Sequence, residues 1–331
     1  MKNQTRDNLI EVIRKSIPED ANLTIYLSDQ LNISRESAYR RIRGEINFTF
    51  EELVSLSQDL GFSLDNIVGA KRDENALFNI HMLQKIDYMD IYVNKMLEYG
   101  RLFGDAANLD PNARARLSIN TLPYLFHIRH ETLSKLRIYK WLYQNQKIGP
   151  SVKFSDFVLP EKVKNAHITF AQDILKVPNI TMILDNNVFW SVSKEIEYFY
   201  KRGLLSDQEL ENLKTELHTI INSLEEMSTC GVCRNNVKVD IYISAVDLEA
   251  TYLHFEYDDK QFSQVRIYSI SAIDSYDKGL CEIQKKWIES LKRFSTLISE
   301  SGEMQRFEYM KKQRELINNI SRFDRYVLSE G

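Results

Sequence analysis

Four arginines, Arg35, Arg40, Arg41 and Arg43, stand in the nine-residue stretch RESAYRRIR, opposed within it only by Glu36. A guanidinium carries a permanent charge and a planar fork of donors, so a cluster of them suits oxyanions and paired acceptors. Ser34, Ser37 and Tyr39 add hydroxyls to the same stretch, and Thr24 precedes it. On an arbitrary surface such a run is an ordinary solvated patch. Its meaning depends on the elements that hold it.

The flanking residues predict those elements. Leu9, Ile10, Val12 and Ile13 recur at helical spacing within 6–16, and Ile25, Leu27 and Leu31 do so within 24–31. Asn32-Ile33-Ser34 then reads as a turn. Asn enters the left-handed region more cheaply than most residues, and Ser34 can cap the helix that follows. That helix is expected over 35–43, with Ala38 and Ile42 facing inward and Gly44 closing it. Arg35, Glu36, Ser37, Tyr39, Arg40 and Arg43 face outward, with Arg41 at the margin. Thr49 and Glu52 form a capping box, and Phe48 with Leu53 a hydrophobic staple. The helix they start carries Val54, Leu56 and Leu60 and ends at Gly61. Ser63 caps a last short helix containing Leu64, Ile67 and Val68.

This pattern resembles the Cro/C1-type (XRE-like) helix-turn-helix domain of bacterial and phage regulators. Leu27, Leu31, Ile33, Ser34, Gly44, the Thr49–Leu53 start, Leu60-Gly61 and Ser63–Val68 carry the likeness, which covers residues 1–70 only. Two positions depart from it. Thr24 stands where the family often has Gln, and Arg41 where it usually keeps an apolar residue. The resemblance implies a five-helix DNA-binding domain whose recognition helix enters the major groove by its N-terminal end. It implies Arg35, Ser37 and Arg40 at base edges, and Thr24, Ser34, Arg41 and Arg43 at phosphates. Tyr39 would pack on a sugar or a thymine methyl.

With 331 residues, 43% of them apolar and 27% charged, the chain has room for about two to three globular domains. Its net charge of -4 argues against coating nucleic acid nonspecifically, but not against a small reader with one positive face. Only 11 Gly and 6 Pro leave few forced turns, which favours helix. The opening MKNQTRDNLIEVIRK lacks a basic-then-apolar signal pattern, and no run approaches the ~18 apolar residues of a spanning helix. A cytoplasmic chain with no membrane partner is expected.

Behind a polar boundary at 70–75, residues 71–229 read as a helical regulatory and dimerisation region. Helices are expected over 76–100, 122–143, 156–175 with an interruption near Pro160, and 186–201. A loop is expected at 104–112, and Ser206 with Glu209 caps a further helix. No repeat near 34 residues supports a tetratricopeptide array. In 230–331, alternation at 237–243, 251–257 and 261–270 predicts a three-stranded antiparallel meander. Leu280, Ile283, Trp287, Leu291, Phe294 and Ile298, followed by Met304, Phe307, Met310, Ile317 and Ile320, predict a helical hairpin covering it. Part of that stripe could serve as a dimer seam. The expected fold class is therefore mainly α: a five-helix helix-turn-helix domain, a helical middle region, and a small C-terminal antiparallel three-stranded sheet covered by a helical hairpin.

Other chemistry is weakly signalled. Cys230 and Cys233 form a CxxC, but a structural zinc site needs four ligands. A redox CxxC opens a helix after a strand, whereas this one precedes a strand. His127, His130 and Glu131 share helical spacing among Leu125, Phe126 and Ile128. No GxGxxG, P-loop, HExxH or GxSxG is present. Neither catalysis nor a metal or cofactor is expected. The sequence points to a transcription regulator that reads an operator in double-stranded DNA as a homodimer. Residues 71–331 would dimerise it and respond to an unidentified effector ligand or protein. The alternative is a protein–protein adaptor that keeps the helix-turn-helix fold without binding DNA.

Overall fold

The computed structural model describes residues 2–321 apart from 19–20, 65–66, 68–75, 77, 81–87, 234–235 and 268–269. The chain divides into two units, Met1–Leu77 and Phe78–Gly331.

In the first unit, α1 (Lys2–Ser16), α2 (Leu23–Gln30), α3 (Arg35–Arg43) and α4 (Phe50–Leu60) surround a core of Leu9, Ile13, Leu27, Ala38, Leu56 and Ile67. Ala38 is fully buried, so its lack of a larger side chain lets α2 and α3 cross closely. The turn between them holds Asn32 at φ 51°, the left-handed conformation expected of it. Most of the short helix expected after Ser63 lies outside the described residues.

The second unit corrects the expected fold class. Among its described residues, eight strands form one mixed sheet rather than three forming a small meander. The strands are β1 (Asn79–Ile80), β2 (Arg114–Ile119), β3 (Asn179–Leu184), β4 (Lys238–Ser244), β5 (Tyr252–Tyr257), β6 (Lys260–Ile267), β7 (Ser271–Ser275) and β8 (Ser295–Leu297). Their order is β1-β7-β6-β5-β2-β3-β4-β8. β2, β3 and β4 run parallel, with Leu117 beside Met182 and Met182 beside Ile241, and β5 joins β2 antiparallel through Leu253. The expected pairing of β4 with β5 does not occur, because β2 and β3 lie between them. Parallel neighbours need crossover connections, and helices supply them.

Between the parallel strands run α6 (Tyr124–Ile128), α7 (Glu131–Gln144) and α8 (Glu161–Ile174), then α9 (Val188–Lys201) and α10 (Asp207–Cys230). α5 (Tyr88–Leu109) extends through most of the stretch expected to be a loop at 104–112. The expected C-terminal hairpin is also corrected. α11 (Lys278–Leu291) and α12 (Glu303–Asn318) are separated by β8, which pairs with β4.

The alternation of the strands sorts the two layers. Ala115, Leu117, Ile119, Met182, Leu184, Val239, Ile241 and Phe255 join the cores built with α5–α10 and α12. Alternate residues serve the other face, where Ile183 packs with Ile288 and Leu291 of α11. Arg116 points to that face and binds Glu256 of β5 at 2.8 Å and Glu289 of α11 at 2.7 Å, tying helix to sheet through a buried charge.

Candidate nucleic-acid interface

The geometry of α3 is set at both ends. Ser37 N–H donates to the Ser34 Oγ at 3.2 Å, satisfying one of the orphan donors of the first turn. At the other end Gly44 has φ 76°, and a Cβ there would lie 1.8 Å from Arg6 Nη1. That same Arg6 nitrogen donates to the Arg43 carbonyl at 3.2 Å, so α1 helps to satisfy the end of α3. The left-handed backbone favours glycine here, whereas the Arg6 side chain could swing aside from a Cβ.

The capping box of α4 forms as expected: Glu52 N–H donates to Thr49 Oγ1 at 3.2 Å, and Thr49 N–H to Glu52 Oε2 at 2.9 Å. Glu52 has a second task. Arg41 donates to both its oxygens, from Nε at 3.0 Å and Nη2 at 2.7 Å, and its Nη1 donates to Ser37 Oγ at 2.6 Å. Arg41 is 8% exposed. Its guanidinium is turned inward and ties α3 to α4, instead of standing outward towards the phosphate position expected of it. Its neighbour in the expected inward stripe, Ile42, is half-buried against the core. Burial would raise the Glu52 pKa, but the bonds from Arg41 and Thr49, with the Arg41 charge, hold it below the usual carboxylate value.

The remaining predicted residues divide cleanly. Ser34, Arg35, Tyr39, Arg40 and Arg43 are exposed along α3. Ser37 is half-buried, with its hydroxyl committed to Arg41. Thr24 is half-buried at the start of α2, where its N–H donates to Asn22 Oδ1 at 2.9 Å. Asn22 is thus the cap of α2, and its spacing before Thr24 and Ile25 is the signal for it.

Glu45 sits beyond Gly44 and reaches back, 3.3 Å from Arg40 and 3.4 Å from Arg43. Arg43 also stacks on Tyr39, with its guanidinium carbon 5.6 Å from the ring centroid. Two of the three outward guanidiniums thereby share one carboxylate, and Arg35 stands outside that pairing. Surface pairs of this kind are readily exchanged for another anion.

In the second unit, Cys230 ends α10 and is exposed, Cys233 follows the turn and is half-buried, and Cys281 is buried in α11. Burial pushes the Cys233 thiol pKa up, which works against a reactive thiolate. Among the described residues, no group of three or more His, Cys, Asp or Glu is arranged to hold a metal ion. His127 lies buried at the end of α6, and burial followed by the nearby charge of Arg137 lowers its pKa well below the usual histidine value.

No known protein family matches this chain, and neither a curated protein nor a solved structure matches it. The functional reading therefore rests on the residues and their geometry.

Proposed function

We propose that this protein is a sequence-specific, DNA-binding transcription regulator that acts as a cytoplasmic homodimer. The observation that carries the reading is α3 itself, capped by Ser34 and Gly44, locked to α4 through Arg41, and presenting Arg35, Tyr39, Arg40 and Arg43 on its open side. A helix held this firmly can enter a major groove with its side chains already placed. Arg35 and Arg40 would read guanine edges through bidentate bonds, while Arg43, Ser34 and Thr24 would set position on phosphates.

A homodimer would place two such helices on half-sites about 34 Å apart, one turn of DNA. The second unit would supply the dimer contact. Support comes from α11, whose inner side packs on the sheet while Ile283 and Trp287, one helical turn apart, remain exposed on its outer side. Among the described residues, no helix is long and apolar enough to cross a membrane.

The direct experiment is selection of bound DNA from a random pool by the full-length protein. Enrichment of a paired, inverted motif supports the reading, and a pool that stays random after repeated rounds overturns it.

The interaction-adaptor reading is favoured by one observation, the engagement of both Arg40 and Arg43 by Glu45. It predicts no DNA affinity even at low salt. A DNA reader instead binds duplex at low salt and loses affinity steeply as salt rises.

A further inference from the structure

The second unit contains a partly open cavity of about 990 Å³ between the helix-covered face of the sheet and helices α5, α6, α8 and α10. Ligand sites for small organic molecules commonly measure about 300–1,000 Å³. The walls are chiefly apolar, with Leu117 and Met182 from the sheet facing Met96, Phe103 and Phe170 from the helices. The charged lining is unbalanced. Lys95, Arg129, Arg137 and Arg266 reach the cavity against one carboxylate, Glu226.

Two of these cations converge. Arg137 and Arg266 lie over the same Tyr124 ring, their guanidinium carbons 4.5 and 5.9 Å from its centroid. Both also line a second cavity of about 270 Å³, beside Asn120 and Thr121 at the carboxyl end of β2. Glu195 and Glu249 border that smaller space, and Glu195 is already taken by an ion pair with Lys140. The Arg266 Nη1 is buried with no hydrogen-bond partner among the described residues. Burial, then the like charge of Arg137, pushes the Arg266 pKa down to about 9. A buried, underpaired guanidinium is costly, and an arriving anion removes that cost.

We propose that this cavity binds an amphipathic anion, with its apolar body in the larger space and a carboxylate or phosphate head between Arg137 and Arg266. The proposal is independent of what α3 binds.

Calorimetric titration of the full-length protein with dodecanoate, dodecyl phosphate and dodecan-1-ol tests it. At least one of the two anions should bind at one per chain, and the alcohol at least tenfold more weakly. The preferred anion identifies the head group. Arg266→Met should weaken anion binding at least tenfold and abolish the preference for anion over alcohol. Arg266→Lys, which keeps the charge but loses the planar fork, should fall between. Unliganded Arg266→Met should melt no lower than the parent, because a buried charge has been removed. Equal binding of anion and alcohol, no anion binding up to millimolar concentration, or unchanged anion binding by Arg266→Met would each overturn the proposal. The comparison of anion with alcohol uses the parent protein alone, so it stands whatever the variants do.

Discussion

Arg41 grips Glu52 through two parallel hydrogen bonds of 3.0 and 2.7 Å, and the same carboxylate caps α4 by accepting from Thr49 N–H. One acidic side chain thus fixes both the start of α4 and the tilt of α3. The side chains are only 10% and 15% exposed, so solvent screens the pair little. Arg41→Ala leaves Glu52 half-buried and underpaired and should cost about 3 kcal/mol in the first unit. Urea unfolding followed by a probe in that unit measures it. A loss below the ~1 kcal/mol of a surface pair would show that the bond is not a structural clamp.

The same pair gives a pH dependence. The folded Glu52 pKa lies below its ordinary value, so the unfolded chain takes up this proton first as pH falls. Its contribution is complete above the ordinary carboxylate range and disappears as pH drops through the lowered folded value. The stability gap between the parent and Glu52→Gln should therefore be widest near neutral pH and close under acid. A gap that stays constant from pH 7 to pH 3 would contradict the assignment.

On the proposed reading, Glu45 would compete with DNA for Arg40 and Arg43, 3.3 and 3.4 Å away. Glu45→Gln should raise affinity for duplex several-fold, because two guanidiniums are released and a repulsive carboxylate is removed. Arg40→Ala should cost about 1–3 kcal/mol and relax specificity at one base pair, while Arg43→Ala should weaken all sequences alike and flatten the salt slope. Binding curves at two salt concentrations separate these outcomes. Tighter discrimination by Arg40→Ala would reverse its role.

The first unit was legible because its signals are local. As helix caps, Ser34, Gly44, Thr49 and Glu52 each act within a turn of their own position. The sheet was not, because its decisive pairings are distant. β3, NITMIL, is short and lacks a clean polar alternation, and its last four residues are buried on both faces, so periodicity cannot distinguish it from helix. Pro178 before it and Asp185-Asn186-Asn187 after it were the available strand boundaries. β2, RARLSI, carries two arginines in six residues, and the partners that let Arg116 be buried, Glu256 and Glu289, lie far along the chain. Arg41 misled for the same reason, its partner being outside the helix. Arg137 could have been flagged as a charge amid Leu136, Ile138 and Trp141. Nothing local could have placed it beside Arg266.

His167 is buried between Tyr92 and Tyr124, whose hydroxyls lie 2.9 and 3.1 Å from Nε2, and Ser134, whose Oγ lies 2.7 Å from Nδ1. A neutral imidazole suits this network, one ring nitrogen donating and the other accepting. Burial, helped by Arg137, lowers its pKa from 6.5 to about 4. The unfolded chain binds the extra proton within that window, so stability should rise with pH across it and fall on acidification. A single histidine contributes up to about 1.4 kcal/mol per pH unit there. His127 adds in the same direction. Denaturant midpoints from pH 4 to 7 should slope upward in the parent and less so in His167→Gln. An unchanged slope would mean that His167 takes up its proton without loss in the folded state.

Trp287 tests the link between the two proposed tasks, reading DNA and pairing. It is 49% exposed and Ile283 is 67% exposed, while Cys281, Gln284, Ile288 and Leu291 hold the opposite side of α11 against the sheet. Replacing the outer pair therefore leaves the packed side intact. Ile283→Glu with Trp287→Glu would place like charges opposite one another across a two-fold interface, which should drive the dimer towards monomers. Sedimentation should show the halved mass. DNA carrying two half-sites should lose affinity by orders of magnitude, because the second reader no longer arrives tethered to the first. A single half-site should bind as before, since α3 is untouched. An unchanged mass would move the dimer contact elsewhere. A halved mass with undiminished affinity for paired half-sites would show that each chain reads DNA alone.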